Sequence, residues 1–360
     1  MASSLNNPAW LDWMAHLIAG TSMEEVSMGE VSRQTFAATL PPDRFYCLLD
    51  ELPLHLIPQP ALKLLLRADD KGQRSPLHLN PDCILCRGSQ LPDELASHKE
   101  LLPGFALQGT IAWVPDSAGG LPLPFWLGPQ LESAVCSLAP NETVPDSMPR
   151  GVQQRLAAAN ILLPEDRISQ LHAAPEEILR KSSRLFREKG YATLPGLIHP
   201  FHVAALRRYY RYLIRTGAIP LGDGQSPRRY AAYNEPVARF FHHRIASTLS
   251  SLAGEPLRPS YVYFASYLSG AELKKHTDRE QCEFSVTLCL DFSPDPQLET
   301  PWPIRLEPPD GPVAVYQALG DGLAYRGTRL PHYRDRLADG QTSTSIFFHY
   351  VAADFAGSLD

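Results

Sequence analysis

The spacing of hydrophobic residues changes near residue 256. Between residues 237 and 252, apolar side chains recur every three or four positions, which predicts an amphipathic helix. After Pro256 the apolar residues come in short runs separated by Gly, Pro and Asp, which predicts strands. We expect six of them, at residues 261–268, 284–292, 304–306, 313–316, 322–325 and 343–351. Many short strands of this kind are typical of a sandwich or a closed jelly roll.

A helix, a short strand and a second helix precede this all-β run. Ala174-Pro175-Glu176-Glu177 has the proline and acidic residues of a helix start, and Lys189-Gly190 is a typical helix end. A short strand follows from Tyr191, and His199-Pro200 opens a long helix. We therefore expect a domain boundary near residue 175, with an accessory domain at 1–174 and the main domain at 175–360.

The N-terminal region has a different texture. Residues 1 to about 100, including the apolar stretch 8–18, are predicted to be mainly helical and irregular. Two strands at 106–114 and 121–127, two helices at 129–138 and 151–160, and an apolar strand at 161–164 follow. This order resembles a small winged-helix module over about 105–165, of the kind that holds leader peptides for peptide-modifying enzymes. The alternative is a scaffold that packs against the next domain.

Composition and charge narrow the class of partner. The chain has 360 residues, of which 44% are hydrophobic and 20% charged, as is usual for a globular protein. The formal net charge is -6, so the charge balance does not indicate a nucleic-acid partner. The basic pairs Arg207-Arg208 and Arg228-Arg229 are predicted to lie on solvated faces.

Targeting signals are not evident in the sequence. The first residues lack the basic region and apolar core of a signal peptide, and no run approaches the length of a membrane span. The six cysteines are scattered rather than patterned, which fits a reducing compartment. We expect a cytoplasmic protein without a membrane partner.

Three residues in the all-β region have the spacing of a metal site. His276 and Asp278 are two positions apart on an extended segment, so their side chains project to the same side. His332 follows 54 residues after Asp278, across about four predicted strands. That interval fits one circuit of a jelly roll, which returns the chain to its starting neighbourhood. Two imidazoles and one carboxylate with open positions are the ligand set of non-haem Fe(II) oxygenases.

The surrounding segments strengthen this prediction. The His276 segment is followed by the strand Cys282-Glu283-Phe284-Ser285-Val286, then by Gly320-Asp321-Gly322, by the His332 segment and by Phe347-Phe348-His349-Tyr350. This order resembles the Fe(II)/2-oxoglutarate-dependent dioxygenase superfamily, in particular its prolyl-4-hydroxylase-like branch, over residues 178–352. The resemblance implies an α+β fold with a double-stranded β-helix (jelly-roll) core and flanking helices, preceded by the mainly helical N-terminal region.

The resemblance also implies an activity. His276, Asp278 and His332 would bind Fe(II), and 2-oxoglutarate would be the co-substrate whose decarboxylation is coupled to hydroxylation of a C–H bond. Related halogenases replace the carboxylate ligand with a small residue, so Asp278 indicates hydroxylation.

The residue that anchors 2-oxoglutarate is less evident. The family usually places an Arg or Lys on the last core strand, whereas residues 341–344 contain no basic residue. A buried carboxylate needs a cation, and Arg is its natural partner. Arg334, two residues from His332, is the first candidate, with a surface salt bridge to Asp335 or Asp321 as its alternative role. Further candidates are Arg336, Arg326 and Lys274, together with the hydroxyl groups of Tyr261 and Tyr263.

Two functions follow from this sequence. The first is a hydroxylase acting on an unactivated C–H bond, with a peptide, protein or carrier-tethered substrate favoured by the N-terminal region and a small molecule as the alternative. The second is a non-catalytic jelly-roll module that recognises a peptide or a small acid, favoured by the missing basic residue.

Overall fold

The computed structural model describes residues 44–46, 48–50, 76–115, 120–168, 176–296 and 298–359. This described part of the chain does not include the predicted helix at residues 8–18. Its strands are β1 Leu77–Leu79, β2 Ile84–Arg87, β3 Thr110–Val114, β4 Leu123–Leu127, β5 Leu162–Pro164, β6 Tyr191–Leu194, β7 Arg229–Tyr233, β8 Leu257–Tyr267, β9 Leu273–His276, β10 Phe284–Ser293, β11 Ile304–Leu306, β12 Val313–Val315, β13 Gly322–Tyr325, β14 His332–Arg334 and β15 Thr342–Ala352.

Seven α-helices accompany these strands in the described ranges. They are α1 Asp93–Ala96, α2 Pro129–Val135, α3 Arg150–Ala158, α4 Glu165–Ile168, α5 Glu176–Lys189, α6 Pro200–Arg215 and α7 Pro236–Ala253, with 3₁₀ turns at Lys99–Leu101 and Glu280–Cys282.

Two antiparallel sheets form the C-terminal half. The larger one has the order β6-β13-β10-β15-β8-β7 and the smaller one has the order β12-β11-β14-β9. From β8 to β15 the chain passes repeatedly between the two sheets. Buried side chains of both sheets form one cluster, in which Ile304 and Leu306 of the smaller sheet pack with Leu323 and Tyr325 of the larger one. The interior between the sheets is therefore lined from both sides.

The predicted β-region agrees closely with these strands. The expected segments at 304–306 and 322–325 match β11 and β13, and the others match β8, β10, β12 and β15 within a few residues. Three strands of these two sheets were not predicted. These are β7, β9 and β14, which are short and lack a full apolar alternation.

Residues near the ends of helices α6 and α7 explain where these helices begin and where α7 ends. Each begins with proline at its first turn, and α7 ends at Gly254, whose φ of 80° favours glycine. The Glu235 carboxylate caps α7 by accepting from the backbone N–H of Ala238 at 2.9 Å. It also accepts from the hydroxyl of Tyr209 at 2.9 Å, so the same side chain fastens α6 to α7.

The N-terminal region packs on these two helices. The ring of Phe105 lies 4.8 Å from that of Phe240, and Phe45 contacts both Tyr209 and Phe241. All five rings are buried, and each such side chain contributes about 1.5–3 kcal/mol by leaving water. Deletion of the N-terminal region would therefore expose an apolar face of α6 and α7.

Residues 76–168 differ in part from the expectation. The predicted strands and helices between 106 and 164 are present as β3, β4, α2, α3 and β5. The prediction of a mainly helical segment was wrong for β1 and β2, which pair with β5 and β3. The winged-helix comparison for residues 105–165 and the domain boundary near residue 175 stay predictions.

The basic pairs are not simply solvated. Arg207 and Arg229 are buried while their neighbours Arg208 and Arg228 are more exposed, because successive side chains point in different directions. Arg207 Nε donates to Asp291 Oδ1 at 2.8 Å, which joins α6 to β10. The expectation of solvated faces was therefore wrong for one member of each pair.

Within the described ranges, no helix combines the length and the apolar character that crossing a membrane requires.

Candidate metal centre

His276 and His332 come together because β9 and β14 are neighbours. His276 ends β9 and His332 begins β14, and the two are direct cross-strand partners. Asp278 lies two residues beyond His276, on the same side of the extended chain. Its backbone N–H donates to Gly327 O at 2.9 Å, which holds it beside β13. The sequence spacing and the strand pairing thus converge on one point.

The potential ligand atoms face one another. Asp278 Oδ1 lies 3.6 Å from His276 Nε2 and 3.5 Å from His332 Nε2. One ligand atom from each of the three residues falls within 4.8 Å of the others. The three residues that the sequence predicted as metal ligands are therefore adjacent in space.

The remaining ring nitrogens fix the imidazole tautomers. His276 Nδ1 lies 2.8 Å from Lys274 O and His332 Nδ1 lies 3.0 Å from Leu330 O. A carbonyl can only accept, so both Nδ1 atoms carry hydrogen and the Nε2 lone pairs of the neutral rings point at Asp278. Two imidazole nitrogens and a carboxylate oxygen suit a first-row divalent metal such as Fe(II). The residues present fit that ion.

Electrostatics favour an ionised carboxylate between the rings. Burial by itself would raise the pKa of Asp278, but its contacts with His276 and His332 outweigh burial and hold that pKa well below the usual range. The same carboxylate raises the pKa of His276. The side chains of His276, Asp278 and His332 together therefore favour a positive charge between them.

Solvent reaches the group from one side. The side chain of His276 is 40% exposed, whereas those of Asp278 and His332 are 12% and 3% exposed. β9 and β7 are edge strands of their sheets, and Arg229 of β7 is among the charges that influence the pKa of His276. The most exposed member of the group is therefore His276, on the edge strand β9.

Arg334 is a buried guanidinium without a carboxylate partner in the described part of the chain. It is 4% exposed and follows His332 by two residues on β14. Nη1 donates to Trp302 O at 2.6 Å and the guanidinium lies 4.7 Å from the Trp302 ring, but Nε has no hydrogen-bond partner there. Burial lowers the pKa of Arg334. An unmatched buried cation of this kind fits the carboxylate of a small dianion.

The alternative role of Arg334 in a surface salt bridge is not observed. Asp335 Oδ2 accepts from Arg305 Nε at 2.6 Å, and Asp321 accepts from the backbone N–H groups of Gly196 and Ala318. Both candidate partners are thus occupied by other donors.

The other basic candidates have other partners or face solvent. The guanidinium of Arg326 lies over the rings of Phe186 and Phe284 and is 3.8 Å from Glu283 Oε1. Arg336 is exposed and pairs with Asp339, and Lys274 is exposed. Their charge is matched or solvated, so the structure offers no buried unpaired cation at these three positions, and their assignment as co-substrate anchors stays a prediction.

Tyr261 and Tyr263 point inward, but their hydroxyl groups are already engaged. Tyr261 Oη is 3.0 Å from Cys282 Sγ, and the hydroxyl of Tyr263 donates to Asp223. Burial is the largest cause that raises the pKa of both phenols. Both hydroxyls already have partners, and their contact with a co-substrate carboxylate stays a prediction. The hydroxyl of Tyr325 lies 3.3 Å from Thr287 Oγ1, and the Tyr325 ring lies 4.8 Å from that of His332.

Sequence reasoning missed several neighbours of the ligands. His349 of β15 lies beside Ser285. Arg229 Nε lies 2.7 Å from Asp223 Oδ2, and the Arg229 guanidinium lies 5.3 Å from the centre of the Tyr263 ring. The signal for His349 was present, since it is a histidine inside the apolar run from Ile346 to Val351. No comparable pattern marks Arg229.

The fold and the ligands define a class: a mixed α and β protein whose two-sheet core carries a two-histidine, one-carboxylate centre. No family model matches the chain, and no curated protein matches it.

Several solved structures show a low level of similarity. The non-heme alpha ketoglutarate dependent epimerase SnoN from nogalamycin biosynthesis is 18% identical over 49% of this chain and 81% of its own, with a TM-score of 0.42. A prolyl-4-hydroxylase from Pseudomonas putida is 15% identical over 48% of this chain and 98% of its own, with a TM-score of 0.41. HygX from Streptomyces hygroscopicus, with nickel and 2-oxoglutarate bound, is 14% identical over 49% and 88%, with a TM-score of 0.40.

Proposed function

We propose that this chain is an Fe(II)- and 2-oxoglutarate-dependent dioxygenase with a double-stranded β-helix core. The observation that carries the proposal is the convergence of His276 Nε2, His332 Nε2 and Asp278 Oδ1 at one point. Three ligands on one face of a metal leave positions for a bidentate co-substrate and for dioxygen. When bound, the iron supplies dioxygen activation coupled to decarboxylation of 2-oxoglutarate to succinate.

Arg334 supports 2-oxoglutarate as the co-substrate. Its guanidinium is buried on the same strand as His332 and has no carboxylate partner in the described ranges. We assign to it the far carboxylate of 2-oxoglutarate, with its Nε and remaining Nη hydrogens as donors. The cation thus occupies β14 instead of the last core strand, and the absence of a basic residue at 341–344 ceases to favour a non-catalytic binding module.

The reaction we propose is hydroxylation of an unactivated C–H bond. The substrate class is a peptide, a protein or a carrier-tethered group, with a free small molecule as the second candidate. It would approach between β7 and β9, where Tyr233 is 64% exposed and its ring lies 4.6 Å from that of Tyr263. Arg279, exposed and placed 4.6 Å over the Tyr261 ring, adds a cation beside this aromatic surface.

The test is oxygen-dependent turnover of 2-oxoglutarate. The purified protein is incubated aerobically with Fe(II) and 2-oxoglutarate, with and without candidate peptides and amino acids, and succinate is quantified. We expect succinate from the unaltered protein and none above background from His276→Ala. Equal succinate from both proteins, or tight 2-oxoglutarate binding without any turnover, would contradict the proposal.

Product mass then identifies the reaction. Hydroxylation adds one oxygen atom for each succinate formed, ring closure removes two hydrogens, and epimerisation leaves the mass unchanged. Only the first outcome agrees with the hydroxylase.

A further inference from the structure

Ser285 connects the metal-binding carboxylate to a buried histidine. The residue lies near the start of β10 and is 1% exposed. Its Oγ is 2.9 Å from Asp278 Oδ2, 2.9 Å from His349 Nδ1 and 3.3 Å from the backbone carbonyl of Cys282. β15 supplies His349 directly opposite Ser285 in the strand register. The contact is therefore built into the pairing of the two central strands.

The hydrogens in this cluster can be assigned by counting donors. An ionised carboxylate only accepts, and a serine hydroxyl has a single hydrogen to donate. The short distance to Asp278 Oδ2 is favourable only if that hydrogen points at the carboxylate. Ser285 Oγ must then accept from His349, so His349 Nδ1 carries hydrogen. The bonds run in one direction, from His349 through Ser285 to Asp278.

His349 is itself held in place. Its backbone carbonyl accepts from His242 Nε2 at 2.7 Å, and its ring lies 4.6 Å from that of Tyr261. The side chain is 6% exposed, so water does not compete for its hydrogen. A fixed donor on a rigid strand transfers this rigidity to the hydroxyl of Ser285.

The two carboxylate oxygens consequently have different surroundings. Oδ1 faces His276 Nε2 and His332 Nε2, whereas Oδ2 accepts from Ser285. We infer that Ser285 and His349 are positioning residues that keep Oδ2 away from the metal, so that Asp278 offers one oxygen only. This inference rests on the proposed metal site. A single-oxygen carboxylate preserves an open position that a chelating carboxylate would fill.

The experiment measures metal binding rather than turnover. Co(II) is titrated anaerobically into the full-length protein, and both the dissociation constant and the visible d–d spectrum are recorded. Loss of an outer hydrogen bond to a ligand typically weakens metal binding about 10- to 100-fold. We expect that loss, with a changed spectrum, for Ser285→Ala and for His349→Leu.

Two matched variants separate positioning from packing. The amide nitrogen of asparagine can stand near the position of Nδ1, so His349→Asn should recover most of the affinity that His349→Leu loses. Ser266→Ala removes another buried hydroxyl of the same sheet, one that contacts Thr344 Oγ1 at 2.8 Å, and should bind Co(II) as the unaltered protein does.

The double variant Ser285→Ala/His349→Leu should bind Co(II) no more weakly than the weaker-binding single variant, because both residues act through the same hydrogen-bonded chain.

Each outcome bears on a different claim. Unchanged affinity and spectrum for Ser285→Ala, or additive losses in the double variant, would overturn the positioning role and leave the proposed function intact. If Ser285→Ala does not fold, equal losses for His349→Asn and His349→Leu would overturn it. Failure of the unaltered protein to bind Co(II) would overturn the proposed function and this inference with it.

Discussion

His276 and His332 face each other across β9 and β14 with ring centroids 4.4 Å apart, and each ring is tied through Nδ1 to the carbonyl two residues before it. The rings are thus oriented before any metal arrives. Such outer hydrogen bonds also increase the basicity of a ligating imidazole. The pairing of two short strands would therefore preorganise the proposed metal centre.

Removal of either imidazole should abolish useful metal binding. We expect His276→Ala and His332→Ala to weaken Fe(II) or Co(II) binding by more than the about 10- to 100-fold typical of outer contacts, because a direct ligand is lost. The measurement is an anaerobic titration. His98→Ala, which alters a half-exposed histidine beside Glu100, is the control and should bind metal normally. Normal binding by His332→Ala would place the metal elsewhere.

Arg334→Met should separate co-substrate binding from folding. The buried cation has no carboxylate partner in the described ranges, so its replacement should leave the free energy of unfolding of the metal-free protein unchanged or higher. 2-Oxoglutarate binding should weaken by at least about 30-fold, since loss of one member of a buried charge pair costs about 2–5 kcal/mol. Calorimetric titration of the Ni(II)-loaded protein measures this, with Arg336→Met as the exposed control. Retained affinity in Arg334→Met would exclude Arg334 as the anchor.

Gly327 should not tolerate a side chain. A Cβ atom there would overlap Asp278 Oδ2 and the Cys282 carbonyl, and would lie 2.8 Å from Ser285 Oγ. We expect Gly327→Ala to lower the free energy of unfolding by about 1–3 kcal/mol and to weaken metal binding by displacing the carboxylate. Urea denaturation and metal titration measure the two effects. Gly224→Ala is the control, because no atom of the described residues lies within 4 Å of the place its Cβ would take; equal behaviour of both variants would contradict this prediction.

Tyr233→Ala should affect the substrate but not the co-substrate. The exposed ring rests on Tyr263 at the proposed entrance, so we expect a higher KM for the substrate with an unchanged KM for 2-oxoglutarate. Tyr316, 47% exposed and next to the edge strand β12, provides the matched control Tyr316→Ala. An equal rise in substrate KM for both variants would mean that Tyr233 has no special position.

Acid should begin to destabilise the metal-free protein near pH 6.5, above the range in which carboxylates titrate. Burial lowers the pKa of His199 and of His349 to about 4 from the ordinary 6.5, and it also lowers the pKa of His202 and His242. Between pH 6.5 and 4 the unfolded chain binds protons that the folded chain does not. The free energy of unfolding should therefore fall by up to about 1.4 kcal/mol per pH unit for an imidazole that stays neutral in the folded chain.

His199→Gln tests the size of this effect. The glutamine amide can replace Nε2 as donor to Ala158 O, which lies 2.9 Å from it, but does not titrate. Urea midpoints measured from pH 7.5 to 4.5 should decline less steeply for the variant than for the unaltered protein. Parallel curves would show that the folded chain does not hold His199 neutral.

Local sequence determined much of this protein. The change in hydrophobic period located α7 and most strands of the two-sheet core, since burial of alternate side chains requires that pattern. The spacing of His276 and Asp278 was sufficient to predict that both lie on one side of the chain. The short strands β7, β9 and β14 escaped prediction because their stability comes from pairing with neighbours and not from their own residues.

Tertiary structure decided which groups stand around the metal-binding atoms. The sequence ranks Arg334 before Arg336 only by its distance from His332, whereas the folded chain buries Arg334 beside Trp302 and leaves Arg336 in solvent with Asp339. Likewise, the bond between Ser285 and His349 joins residues 64 positions apart, which depends on the register of β10 and β15. Periodicity records which way a side chain points, whereas its partners depend on contacts between distant segments that no local pattern contains.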